Sequence, residues 1–139
     1  MKNKRIDFAL LILRLGFGIT LAYVHGYSKI TGGPDKWEKL GSAMANLGIT
    51  FFPVFWGFMA AFAEFAGALL VAMGFLTRAA AFLVAFTMAV AVFDHIHGGD
   101  KLADAADAFQ LLVVFTAILI AGAGQYSIDN SVKVSRFLQ

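Results

Sequence analysis

Glu64 is the one charged residue between Phe51 and Phe75, a run of 25 residues. Near the middle of a bilayer such a charge costs roughly 2.5–3.5 kcal/mol on insertion scales unless it faces protein, water or a partner. A carboxylate held there can exchange protons, bind a ligand, or sit protonated as a hydrogen bond between helices. Other residues could share its chemistry. His25 is the side-chain type whose charge changes near neutral pH. Lys29 supplies a cation that could attract an anion or polarise a carbonyl, and Arg14, Asp107 and Gln110 add polar groups to otherwise apolar segments. A second cluster, Asp94, His95 and His97, could join His25 around a divalent metal or a b-type haem. The plainer reading of His95 and His97 is a helix end at the membrane surface.

These residues sit in a chain that is 60% hydrophobic and 14% charged, with a mean hydropathy of +0.76. Soluble domains carry about 25% charged residues, so the composition reads as a single integral membrane domain. Its net charge of +2 is no sign of nucleic-acid binding, because it follows from basic residues at the membrane faces. Cysteine is absent. That excludes disulfides, thiolate nucleophiles, iron–sulfur ligation and covalent haem attachment, so a redox role needs a bound organic cofactor, a histidine-held metal or a partner subunit.

Four hydrophobic segments, about residues 8–30, 51–75, 79–96 and 106–126, predict an all-α, four-helix membrane bundle. About 20 helical residues span the hydrocarbon core, and the third segment is short for that. Gly74, Thr77 and Arg78 predict a tight hairpin. The long connection holds a Gly32-Gly33-Pro34-Asp35 turn, and a short interfacial helix over 36–47 would place Trp37 among the headgroups. Lys2, Lys4, Arg5, Arg78, Lys133 and Arg136 fall on one face. The positive-inside rule then puts both termini in the cytoplasm of a bacterial inner membrane.

Helical phasing sets the polar residues against one another. Asp7, Arg14, His25 and Lys29 fall within an arc of about 60° at 100° per residue. Glu64 shares its face with Gly57, Ala60, Ala61, Gly67, Ala68 and Gly74, a small-residue surface suited to close helix packing. Phe51, Phe55, Phe58, Phe62 and Phe65 lie mostly opposite; they could form an aromatic wall for a planar cofactor, but a lipid-facing surface is the favoured reading. Asp107 aligns with Val114, Ala121 and Gln125, with Gln110 beside them. The expectation is a polar pocket opening outwards, lined by His25, Lys29, Asp94, His95, His97, Asp107 and Gln110, with Glu64 at its floor. Arg14 as the partner of Glu64 would make a structural ion pair, whereas His25 would make a site that exchanges protons.

Four stretches together resemble the DoxX-like family of small four-helix membrane proteins. They are Arg14-Leu-Gly-Phe-Gly-Ile-Thr-Leu-Ala-Tyr-Val-His25-Gly26-Tyr-Ser-Lys29, the Glu64 to Arg78 segment with Gly67 and Gly74, the alanine-rich Ala79 to Met88, and Gly122-Ala-Gly124-Gln-Tyr-Ser127-Ile-Asp129. The family includes the small subunit of thiosulfate:quinone oxidoreductase. The resemblance implies a membrane subunit associated with an oxidoreductase, binding quinone or a small sulfur compound. By position Arg14, His25, Lys29 and Glu64 inherit the family's polar residues. Glu64 and His25 are then the candidate catalytic pair, with Arg14, Lys29, Asp107 and Gln110 as binding residues. The expected partners are the bilayer and either further copies of the chain or a redox subunit. A proton-coupled transporter or channel, or a scaffold subunit without chemistry, would use the same bundle. In the scaffold reading, Gly122 to Asp129 is only a helix stop.

Overall fold

A computed structural model describes residues 3–132 of the chain. Four helices in it are long and apolar enough to cross a membrane: α1 Lys4–Ile30, α3 Pro53–Met73, α4 Thr77–His97 and α5 Leu102–Ala121. Between the first two, α2 (Pro34–Gly41) continues into a 3₁₀ turn, Ser42–Leu47. A last turn of helix, α6, covers Ile128–Ser131. Among the described residues there is no strand, and the fold is an all-α membrane bundle.

Local chemistry sets the ends of these helices. The Asn3 side chain accepts from Arg5 N at 3.1 Å and caps α1. Pro34 and Pro53 open α2 and α3, where a missing N–H costs nothing. Gly74, at φ 70°, ends α3 in a left-handed turn. The ends of the spans differ from the sequence reading: the first begins at Lys4 rather than at residue 8, the second covers Pro53–Met73 rather than 51–75, and the third, Thr77–His97 rather than 79–96, is 21 residues long and not short for a bilayer. The fourth begins at Leu102 and ends at Ala121, not Tyr126, because Gly122 takes φ 83° and turns the chain away.

Leu21, Val71, Val84, Phe115 and Ile118 are fully buried where the four long helices meet. Ile12, Ile19, Phe82, Phe93 and Ile120 point outwards, as a bilayer solvent permits. Close approaches depend on glycine at three crossings. A Cβ on Gly18 would lie 2.7 Å from the Ala68 carbonyl oxygen, so α1 and α3 touch through their backbones. Likewise a Cβ on Gly41 would meet the Pro53 carbonyl oxygen at 1.7 Å, and one on Gly57 would meet that of Trp37 at 1.6 Å. These two contacts clamp α2 onto the start of α3. Trp37 reinforces the clamp by packing edge-on against Phe58 and donating from Nε1 to the Lys29 carbonyl at 2.9 Å.

The two ends of the bundle differ. Gln125 N donates to Asp7 Oδ1 at 3.0 Å, so the start of α1 and the segment after α5 share a face with the α3–α4 hairpin. This is the termini face. The opposite, loop face carries residues 31–52 and 98–101. At the termini face the Asp129 carboxylate accepts from Leu76 N at 2.8 Å, Thr77 N at 2.9 Å and Thr77 Oγ1 at 2.7 Å. It thereby caps the N-terminus of α4 from a distant part of the chain. The Asp129 amide in turn donates to the Gly74 carbonyl at 2.8 Å. Arg14 lies fully buried beside this cap, donating from Nη2 to the Tyr126 carbonyl, with the charge of Asp129 acting on it. Gly74 leaves it room: a Cβ there would fall 1.8 Å from Arg14 Nη1. The Gly122 to Asp129 stretch is therefore more than a helix stop. Lys2, Lys133 and Arg136 lie outside the described residues.

Candidate functional site: an ion pair at the floor of an apolar cavity

Two departures from α-helical geometry place Glu64. Leu21–Gly26 in α1 and Ala63–Gly67 in α3 are π-helical turns, and they pack against each other. A π turn accommodates one extra residue and shifts the phase of everything beyond it. Gly26 makes the contact: a Cβ there would sit 2.6 Å from the backbone carbon and oxygen of Glu64. One short turn later, at Tyr27–Ile30, α1 presents Lys29.

Lys29 Nζ donates to Glu64 Oε1 at 2.8 Å and Oε2 at 2.6 Å. Both distances lie near the range of charge-assisted hydrogen bonds. The side chains are 25% and 4% exposed, respectively. The carboxylate is thus enclosed, while the ammonium keeps a route to the surface along its flexible stem.

Neither partner anticipated from the sequence occupies this position. Arg14 is committed at the termini face. His25 projects from α1 on an exposed side. The 100° phase count placed His25 and Lys29 on one stripe, and the π turn between Arg14 and Lys29 breaks that count.

Beside the ion pair lies a cavity of about 380 Å³, within the size range of small-molecule sites. Lys29, Glu64 and Ala63 form its floor with Leu83 and Thr87 of α4. Its walls are apolar: Leu40 and Met44 from the α2 segment, Phe55, Trp56 and Met59 from α3, and Phe86, Val90 and Ala91 from α4. Lys39, Asp94 and His95 stand at the loop-face end. There Asp94 Oδ1 accepts from Asn46 Nδ2 at 2.6 Å, and His95 Nδ1 lies 2.7 Å from Asp100 Oδ2.

The expected polar pocket is therefore an apolar one with polar ends. Lys29, Glu64, Asp94 and His95 meet in it, and Arg14, His25, Asp107, Gln110 and His97 do not line it. Asp107 and Gln110 are exposed on α5. Ring stacking pairs His97 with Phe93. Among the described residues no three His, Asp or Glu side chains gather as metal ligands, so the His25, Asp94, His95 and His97 set does not form.

The cavity walls are not evident from helical phase alone. Phe55 combines the two readings of its aromatic face: it is exposed on the outside of the bundle and lines the cavity. Thr87 was available as a signal, being the one hydroxyl between Arg78 and Asp94. Its Oγ1 donates to the Leu83 carbonyl at 2.9 Å.

The DoxX family model matches residues 9–98, which contain the paired π turns and every residue of the cavity. The chain belongs to the DoxX family. As a DoxX protein it is a multi-pass membrane protein, and the family is often linked to oxidoreductases. The α5 helix, α6 and the Asp129 cap lie beyond the matched DoxX segment. No curated protein and no solved structure matches the chain.

Proposed function

We propose that this protein is the membrane subunit of a redox system and binds a quinone headgroup in the cavity above Lys29 and Glu64. The observation that carries the reading is the buried ion pair at the floor of an otherwise apolar, aromatic-walled space. A flat ring with carbonyl oxygens suits both parts. Trp56, Phe55 and Phe86 offer aromatic surfaces, and Lys29 Nζ offers an N–H donor to a carbonyl oxygen. Glu64, which shares the floor with Lys29, would give or take a proton at the bound ring. The quinone would supply two-electron acceptor chemistry, with electrons from a partner redox subunit. A small sulfur anion fits less well, because Glu64 already neutralises the cation at the floor.

Supporting the same reading over a channel, the core from Leu21 to Ile118 and the Arg14–Asp129 cluster fill the bundle towards the termini face. Lys4, Arg5 and Arg78 on that face are matched by Lys36, Lys39 and Lys101 at the loop face, and Lys2, Lys133 and Arg136 of the terminal sequences tip the count. By the positive-inside rule that excess would direct the cavity away from the cytoplasm of a bacterial inner membrane. His25, Asp107 and Gln110, exposed at membrane depth, are left for a second copy or the redox partner.

Tryptophan fluorescence tests the proposal, since Trp56 lines the cavity and Trp37 is the only other indole. A short-chain benzoquinone titrated into the purified protein should quench it saturably. The saturable part should vanish in Trp56→Phe and weaken at least ~10-fold in Glu64→Gln, about 1.4 kcal/mol. Identical linear quenching in all three proteins would refute the proposal.

A further inference from the structure

The cavity has two kinds of boundary, and one of them faces the bilayer. α3 packs against α4 chiefly through residues 63–73, on the termini side. Towards the loop face the two helices separate, and the 3₁₀ turn Ser42–Leu47 spans the gap, held to α4 by the Asn46–Asp94 hydrogen bond. The cavity wall includes Phe55, near the loop-face start of α3 where α2 packs on it, and Phe86, deeper in the bilayer on α4. Both line the cavity, yet they are 52% and 48% exposed on the outside of the bundle. Such side chains form a wall one residue thick. Phe86 lies eight positions, about 12 Å, before the Asp94 end of the cavity, which puts it inside the hydrocarbon layer. An aqueous ligand would have to come past Lys39, Asp94 and His95 instead.

We infer that the ligand of this cavity is a membrane-dissolved molecule with a lipophilic tail, which enters between Phe55 and Phe86 and leaves its tail in that seam. This rests on the quinone reading and adds the direction of access and the amphiphilic class. A headgroup over Lys29 and Glu64 would have its tail running out through an apolar slot into acyl chains, where burial of each methylene is favourable. A tail-less ring would forgo that contact and would also have to reach the floor from water.

The absence of cysteine makes the seam open to a clean test. The full chain is placed in lipid nanodiscs, and binding is read as saturable quenching that is lost in Trp56→Phe. Two probes share one benzoquinone ring: one carries a decyl tail, the other a sulfonated chain that stays in water. The decyl form should bind at least 10-fold more tightly. A bulky maleimide on Phe86→Cys should weaken its binding at least 10-fold, while the same label on Ile120→Cys, on the lipid face of α5, should leave it unchanged. Because Phe86 is itself part of the cavity wall, the affinity of unlabelled Phe86→Cys is the reference against which the labelled form is read. Equal binding of both probes, or full binding to the plugged protein, overturns lateral access and leaves the quinone site standing. Failure of both probes on the unmodified protein removes the quinone reading and this inference with it.

Discussion

The chain buries charge in two places and uses it differently. At the termini face, the Asp129 carboxylate meets two backbone N–H groups and a hydroxyl, and Arg14 beside it is fully enclosed. At mid-depth, Glu64 has a single partner side chain, Lys29, which keeps a path to the surface, and a cavity of about 380 Å³ opens beside them. Desolvation is costly in both settings. The first is offset by saturating the carboxylate with rigid donors at a helix N-terminus, which fixes the hairpin in place. The second leaves the carboxylate beside open space, where a ligand can compete for the ammonium. On the proposed function, saturation distinguishes the structural carboxylate from the one left beside open space for a ligand.

Substitutions can break this contrast, beginning where the effect is greatest. Asp129→Ala strips the cap from α4 and strands buried donors, so thermal unfolding in detergent should show a loss of about 3 kcal/mol. Quinone affinity measured below the melting transition should change less than ~3-fold. Gly26→Ala drives a methyl into the Glu64 backbone and separates the two π turns. About 1–3 kcal/mol of stability should go with it, and ligand binding should fall too, because the same contact sets the ion pair. Glu64→Gln should reverse the Asp129 pattern. Lys29 can withdraw towards the headgroups, holding the stability cost to about 1–2 kcal/mol, while binding drops at least ~10-fold. Asp107→Asn, on an exposed face, should move the melting free energy by no more than about 0.5 kcal/mol and leave binding unaltered. A large loss of binding in Asp129→Ala, or a large loss of stability without loss of binding in Glu64→Gln, would dissolve the distinction.

The spans were legible in the sequence because runs of apolar residues long enough for a bilayer have little alternative. Glu64 stood out for the same reason. Its partner did not. Lys29 was on the right stripe, but extrapolating helical phase from Arg14 assumes unbroken 3.6-residue turns, and the π turn at Leu21–Gly26 violates that. Asp107 and Gln110 show a second limit. In water the apolar face of a helix points inwards, whereas in lipid both faces are apolar and a polar stripe has to be assumed inward. Here it is exposed. The role of Asp129 was hidden because its donors lie 52 and 53 residues earlier in the chain. Local reading of Gly122 to Asp129 sees only a turn.

That separation has a meaning for how the protein is made. Synthesis delivers the N-terminus of α4 into the membrane region well before Asp129 leaves the ribosome, so the hairpin must wait with its donors unsatisfied. The last turn of the described chain is what completes them. A nascent product that stops after α5 would hold all four spans and still lack that cap. Closure of the hairpin is therefore a late event, completed only once the chain has been made past Asp129.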